Sequence, residues 1–420
     1  MGKRCGIVSA IVFFVAAVIF TAGCQEERKA SEGTLLTGAL PIVDAGRYES
    51  LQAAIDALPD EGGVVRVPPG TFEINKPLKI VKSDVLIEGA GTATHIKNVN
   101  TQGKSAMIIE PANYKAGTEV SDEKAIWRVR LANFRITGNG ESGHGIEANF
   151  VNEIFIDGVT ASYHGGDGIK LNQCYEDPRI CDSLMTYNKG TGLDLIGCHD
   201  IVVSSNQFEE NQDALRCIDG YNLCMTGNNL DDHLGDGVVI ENTYGSVVSG
   251  NMIEECKGTA IVLGRDCYGI ALSANVIAHN GTGGIDLRDA HGCAVSANTF
   301  TIVRQGALTI GPESGRITVT GNSFSDSYIG GGRLKRQSQI DGKGYWSGRD
   351  KAAAGMVLEG TSDITVVGNM FSGVRPKALT IEGKPSKRVL FTNNVLTDAE
   401  SDHSELDSSS LVKDNLEQAE

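Results

Sequence analysis

One short pattern recurs through most of this chain and limits what it can become. A small residue followed by aliphatic-x-aliphatic occurs as "GIEA" (145–148), "GIKL" (168–171), "GLDL" (192–195), "ALRC" (214–217) and "GVVI" (237–240). It continues as "AIVL" (260–263), "GIDL" (284–287), "ALTI" (307–310), "GMVL" (355–358) and "ALTI" (378–381). The starts are spaced 23, 24, 22, 23, 23, 24, 23, 48 and 23 residues, the 48 being two periods. Between them run asparagines at Asn188, Asn206, Asn228, Asn251, Asn275, Asn298, Asn322, Asn369 and Asn394, most preceded by alternating runs such as "SVVSGN" or "ITVTGN". Each unit therefore holds two or three short strands and almost no helical periodicity. A unit this small cannot bury its own apolar face, so copies must stack, which places equivalent residues in register about 4.8 Å apart. Asparagines aligned this way can hydrogen-bond along the stack. The expected architecture is all-β: a single right-handed parallel β-helix of about 23 residues per turn.

The front of the repeat region is different. In "YESLQAAIDALP" (48–59), Leu51, Ile55 and Leu58 fall at helical spacing before Pro59 stops the run. Such a helix can cap the open end of a coil and hide a sheet edge. "GGVVRVPPGTFEI" (62–74) and "LKIVKSDVLIEGAG" (78–91) read as the first strands. This arrangement resembles the N-terminal part of the pectate-lyase-like β-helix superfamily, and the resemblance covers about 40–397. It implies a carbohydrate-active protein: a polysaccharide lyase on a uronate-containing polymer, a glycoside hydrolase of the same fold, or a non-catalytic glycan-binding protein of the envelope. The "GHG" at 143–145 matches one signature of polygalacturonase-type hydrolases, but the accompanying signatures are missing and we read it as coincidence. The epimerase signature DPHD is absent too, and "EDPRI" (176–180) does not supply it.

The first residues read as an address. Lys3 and Arg4 precede an apolar run from Gly6 to Phe20 and then "TAGC" (21–24). That ending resembles a bacterial lipobox, with Thr21 where leucine is typical, which implies a lipid on Cys24 and a membrane anchor. A transmembrane span over 5–24 is the alternative. Gln25 after the cysteine implies the outer membrane of a Gram-negative-type bacterium. Residues 1–24 are then a lipoprotein signal peptide, 25–37 a tether, 38–397 the β-helix domain of a monomer, and 398–420 a disordered acidic tail. Without Lys3 and Arg4 the chain carries 35 basic and 53 acidic residues, a net charge of −18, which argues against nucleic acid as a partner. Eight cysteines remain after Cys5 and Cys24. Export permits a disulfide between Cys174 and Cys181; the others suit small buried positions.

Alternation within a strand points Ile169 and Leu171 inward and displays Lys170. The same outward position in successive units reads Glu147, Lys170, Asp194, Arg216, Val239, Val262, Asp286, Thr309, Val357 and Thr380. Four alternating charges at one end form a candidate catalytic patch, to which His164 is added. A surface ladder of ion pairs is the competing reading. Asp167, Asp213 and Asp236 stand two residues before the first inward aliphatic, and His164 and His233 five before it. Asp219, Glu241, Arg265, Asp266, Arg288 and Asp289 follow the strands. His233, Arg265, Arg288 and Asp289 are candidate substrate-binding residues. His199, Tyr221, Tyr244, Tyr268 and His291, each seven residues before an asparagine, suggest a stacked corner ladder.

A uronate lyase must neutralise the sugar carboxylate, remove the adjacent proton and protonate the leaving oxygen. Lys170 or Arg216 is the candidate base. Two flanking carboxylates favour a protonated Lys170, so this reading calls for a divalent cation, Ca²⁺ held by Glu147, Asp167 and Asp194. A hydrolase needs two suitably spaced carboxyls, and Glu147 and Asp194 stand two rungs apart with Lys170 between them. Finally, the insertion 328–351 is basic and carries Tyr345 and Trp346, candidates for stacking on a charged sugar.

Overall fold

The structure, a computed structural model, describes residues 37–326 and 353–418, and its compact unit begins at Leu40. The leader with Cys24, the tether up to residue 36, and Tyr345 and Trp346 of the insertion lie outside the described residues.

The short helix Leu51–Asp56 opens the coil, with the Ser50 side chain accepting from the Ala53 N–H at 3.1 Å as its N-cap. Leu51, Ala54 and Ile55 are its buried face. A parallel sheet of 12 strands follows, from Leu78–Ile80 to Leu379–Ile381. Its register is the one the repeat demands: Glu147 pairs with Lys170, Lys170 with Asp194, Asp194 with Arg216, and Arg216 with Val239. The remaining strands pair in the same way within a second, 29-stranded sheet, except Ile126–Trp127 and Val151–Asn152, which pair with each other. Leu171, Leu195, Cys217 and Ile240, one residue on from each displayed side chain, are fully buried. Phe300, Phe324 and Phe371 stack in the interior with ring centres 4.6 and 4.7 Å apart.

The asparagine ladder is continuous from Asn206 to Asn415. Each Oδ1 accepts the backbone N–H and the side-chain amide of the preceding asparagine, and each Nδ2 also reaches a carbonyl one turn back, as Asn275 does to Val248 O at 3.0 Å. Asn188 is not part of it. It belongs to a second buried column, where His164 N–H donates to Asn188 Oδ1, Asn188 to Asn211, and Asn211 to Nδ1 of His233.

Two expectations are corrected here. Residues 398–418 do not lack structure: Leu411–Lys413 and Leu416–Gln418 pair with the strands before them and add a further turn. Cys174 and Cys181 are not bonded to each other; Cys174 is buried inside the coil and Cys181 lies half-buried at the second sheet, beside Asp157.

Candidate functional site

The column Glu147–Lys170–Asp194–Arg216 is brought together as its spacing requires, but its four members have different surroundings. Glu147 is half-buried and already engaged: its Oε2 accepts the Ser105 hydroxyl at 2.7 Å, and Asn149 lies 3.5 Å from Oε1. The side chains of Lys170 and Arg216 remain 27% and 38% exposed. Asp194 between them is only 4% exposed. Its Oδ2 lies 3.9 Å from Lys170 Nζ and its Oδ1 3.8 Å from Arg216 Nη1. Both separations exceed hydrogen-bond length, and Oδ1 has no hydrogen-bond partner. Burial, then the nearby Asp167 charge, raises the Asp194 carboxyl above its ordinary range against the pull of Arg216 and Lys170. A buried carboxylate with an unmet oxygen beneath two cations is an incomplete arrangement, because an orphaned polar atom costs about 1–3 kcal/mol.

Asp167 borders the same patch. Its Oδ1 accepts the Thr191 N–H at 2.8 Å, and its Oδ2 lies 3.0 Å from Nδ1 of His144. Burial works to raise this carboxyl, yet His144, the Thr191 N–H and Lys170 together hold it below the usual value. Asp213 and Asp236 make the same backbone contact, to the N–H groups of Asp236 and Thr259, and are turn formers. The contact is possible because glycine follows on the next rung: a Cβ on Gly190 would stand 2.3 Å from Asp167 Oδ1, and one on Gly258 2.2 Å from Asp236 Oδ1.

His144, which sequence reasoning passed over, is thus part of the patch, with a side chain 26% exposed. Its Nδ1 accepts the Asp167 backbone N–H at 3.0 Å and lies at the same distance from Asp167 Oδ2, so the neutral ring carries its hydrogen on Nε2. The signal was present: His144 stands two residues before Ile146, the register of Asp167 before Ile169.

Other candidates are corrected. His164 and His233 are wholly buried and touch no outer surface. Their position points into the coil, in the column of Asn188 and Asn211, and burial pushes both imidazoles down to about 4, so they stay neutral. Neither is a catalytic or substrate-binding residue. Glu147, Asp167 and Asp194 do not converge as metal ligands. The described groups with three ligand atoms within 4.8 Å of one another are Asp157–Cys181–Asp182, Glu254–Glu255–His279 and Asp231–Asp232–Glu255, all elsewhere. Glu147 is held by Ser105 and Asp194 is sealed under its neighbours, which also removes them as an exposed hydrolase pair.

Arg265 and Arg288 are exposed beyond this patch but are paired: Arg265 lies 3.3 Å from Asp219 and 3.8 Å from Glu241, and Arg288 donates to Asp286 at 2.7 Å. Asp289 accepts the Asp266 N–H at 2.7 Å. The corner ladder forms in part, with Tyr175 added: ring centres are 4.9 Å apart for Tyr175–His199 and 4.6 Å for His199–Tyr221, both edge to face, and 5.3 Å for the stacked pair Tyr221–Tyr244, while Tyr268 and His291 continue the column through backbone pairing. Rings packed against one another on successive turns spend contact area within the column, and we read it as a structural seam.

No curated protein sequence matches this chain at a significant level. Several solved structures share its coil. The A-module of the Azotobacter vinelandii mannuronan C-5 epimerase AlgE6 is 14% identical with a TM-score of 0.53, over 90% of this chain and 99% of that one. A double mutant of the periplasmic alginate epimerase AlgG is 12% identical with a TM-score of 0.51, over 90% and 84%. Tailspike protein 3 of bacteriophage CBA120 is 11% identical with a TM-score of 0.53, over 92% of this chain and 65% of the tailspike, less than two thirds of its length. At such identities the likeness is one of fold. The family model of a right-handed β-helix region matches residues 79–233, 179–324 and 262–416, and on that match the chain belongs to the right-handed β-helix family.

Proposed function

We propose that this protein acts on an acidic, uronate-containing polysaccharide by removing the proton beside a sugar carboxylate, the opening step of lyase cleavage. The observation that carries the reading is the pair of half-exposed cations, Lys170 and Arg216, over a buried carboxylate to which neither is hydrogen-bonded. Two cations with unused donors favour an anion from outside. Similarity in fold to proteins named as alginate and mannuronan epimerases supports a uronate as that anion.

In this reading Lys170 and Arg216 each take a carboxylate of the polymer, and Lys170, which follows Asp167 on the same turn, stabilises the charge that develops when the neighbouring C–H bond breaks. His144 acts as the base in its other tautomer, in which Nδ1–H is given to Asp167 Oδ2 in place of the bond from the Asp167 N–H; Nε2 then accepts that proton and Asp167 supports the imidazolium. The electron pair from the C–H bond becomes a carbon–carbon double bond as the glycosidic C–O bond breaks, and the imidazolium returns its proton to the leaving oxygen. Hydrolysis is the weaker reading because Glu147, the other carboxyl of the pair, is held by the Ser105 hydroxyl and Lys170 stands between the two. Export and lipid attachment at Cys24, supported by "TAGC", belong to the same proposal and would put the coil in the cell envelope.

The test is a screen of purified protein against polygalacturonate, polymannuronate and other polyuronates, with and without Ca²⁺, read as ultraviolet absorbance of the unsaturated product. Absorbance should rise on at least one polymer. His144→Ala should lower kcat by roughly a hundredfold or more, with the unfolding midpoint little changed. An absolute need for Ca²⁺ would return charge neutralisation to a metal. No ultraviolet product on any polymer, with reducing ends also unchanged, would leave glycan binding without cleavage.

A further inference from the structure

The orphaned oxygen of Asp194 asks for more than a carboxylate on its neighbours. It is an acceptor with no donor, on an oxygen cut off from solvent, in line with two cations one rung to either side. The cation-bearing rungs are two strand spacings apart, about 10 Å between backbones. An extended 1,4-linked pyranose chain laid along the coil axis advances by about one rung per sugar. Successive units in such a chain turn opposite edges to a flat surface. A carboxylate facing Lys170 is therefore followed by a hydroxyl edge over Asp194 and by a second carboxylate facing Arg216.

We infer that Lys170, Asp194 and Arg216 read three consecutive units of an extended acidic polysaccharide as carboxylate, free hydroxyl, carboxylate, so that esterification of the middle hydroxyl excludes the polymer. This rests on the acidic-polysaccharide reading and adds the feature being recognised. The chemistry is asymmetric. A sugar hydroxyl gives its hydrogen to Oδ1 and completes the carboxylate. An O-acetyl group at that place offers only acceptor oxygens, so the carboxylate stays unpaired and is now faced by another acceptor. Sites built around a substrate hydroxyl reject analogues lacking it far more strongly than an apolar pocket rejects a missing methylene. Binding needs Lys170 and Arg216 to swing aside by a rotamer change, which their exposed ends permit. The positively charged heads then rest on the flanking carboxylates, where the substrate places them.

The experiment is equilibrium binding of the full chain to polymannuronate and polygalacturonate, each unmodified and chemically O-acetylated, read by calorimetry. The wild-type protein should bind an unmodified polymer tighter than its acetylated form by roughly a hundredfold or more. In Asp194→Asn the amide can donate to an ester carbonyl, so the preference should shrink to roughly tenfold or less while the circular dichroism spectrum is unchanged. Equal binding of the two forms by the wild-type protein would overturn this inference and leave the polysaccharide reading standing. Binding of neither form to any polymer would overturn both. Because the wild-type comparison decides by itself, a failure of Asp194→Asn to fold does not rescue the idea.

Discussion

Replacing Asn275 by alanine is expected to destabilise the coil by about 2–5 kcal/mol, measured by urea unfolding. Asn275 is 1% exposed and central in the buried ladder. Its Oδ1 accepts both the backbone N–H and the side-chain amide of Asn251 at 3.0 Å, and its Nδ2 donates to Val248 O and to Asn298 Oδ1 at 3.0 Å each. Alanine leaves the Asn251 N–H without its partner in a place water does not reach, which costs about 1–3 kcal/mol, and removes the amide's bonds to Val248 O and Asn298 Oδ1, each about 1 kcal/mol. Asn298 keeps its bond to the Asn275 N–H, so the damage stays within adjacent turns. Stability in a stacked coil is a sum of neighbour terms, and a weakened rung should therefore separate the unfolding of the two halves. The control is Asn229→Ala. That side chain is half-buried on the outer face, donating to Gln207, and its loss should cost about 0.5 kcal/mol or less. Similar costs for the two variants would contradict the ladder as the spine of the fold.

The second large effect is acid sensitivity between pH 6.5 and 4. His164 and His233 are held neutral by burial, with values pushed from 6.5 to about 4. His164 Nε2 donates to the Ile136 carbonyl and its Nδ1 has no partner; His233 Nδ1 accepts from Asn211 and its Nε2 has none. Above the unfolded-state value both states are neutral and the stability is fully present. As pH falls below that value the unfolded chain takes up protons that the folded chain refuses, so stability declines until the folded value is reached. Each histidine contributes about 3 kcal/mol over that window. The double variant His164→Asn/His233→Asn keeps an acceptor in each place, fits a column already built of Asn188 and Asn211, and does not titrate. Its unfolding free energy should fall by about 6 kcal/mol less than that of the wild-type protein between pH 7 and pH 4. Carboxylates whose values burial raises, such as Asp213 and Glu255, also take up protons as the pH falls, but they do so in both proteins and cancel in the comparison. Parallel pH profiles for the two proteins would contradict neutral burial of the imidazoles.

The coil was legible because its period exposes itself twice, in the aliphatic quartets and in the asparagines. The outward column was legible because strand alternation assigns Lys170 to one side once Ile169 and Leu171 are assigned to the other. What alternation does not carry is depth. Asp194 and Lys170 share a column, yet one is sealed and the other half-exposed, because a short side chain sinks between two long ones. His164 and His233 were misread for a related reason: their register is a corner whose side chains turn inward, and the clue is that Asn188, Asn211 and Asn280 occupy it too. His144 was passed over as a fragment of a foreign signature, although its register is that of Asp167. In the tail, acidic composition hid a last repeat, "SLVKDNLEQ" (410–418), whose Asn415 follows Asn394 by 21 residues.

The account stands on one claim, that the column on the outer sheet receives an anionic polymer. The direct test is binding of polymannuronate and polygalacturonate to Lys170→Glu/Arg216→Glu, compared with Arg388→Glu on a remote surface. The account predicts that the double reversal weakens binding by roughly a hundredfold or more while Arg388→Glu changes it by about twofold or less. Equal losses in both variants, or none in either, would contradict it.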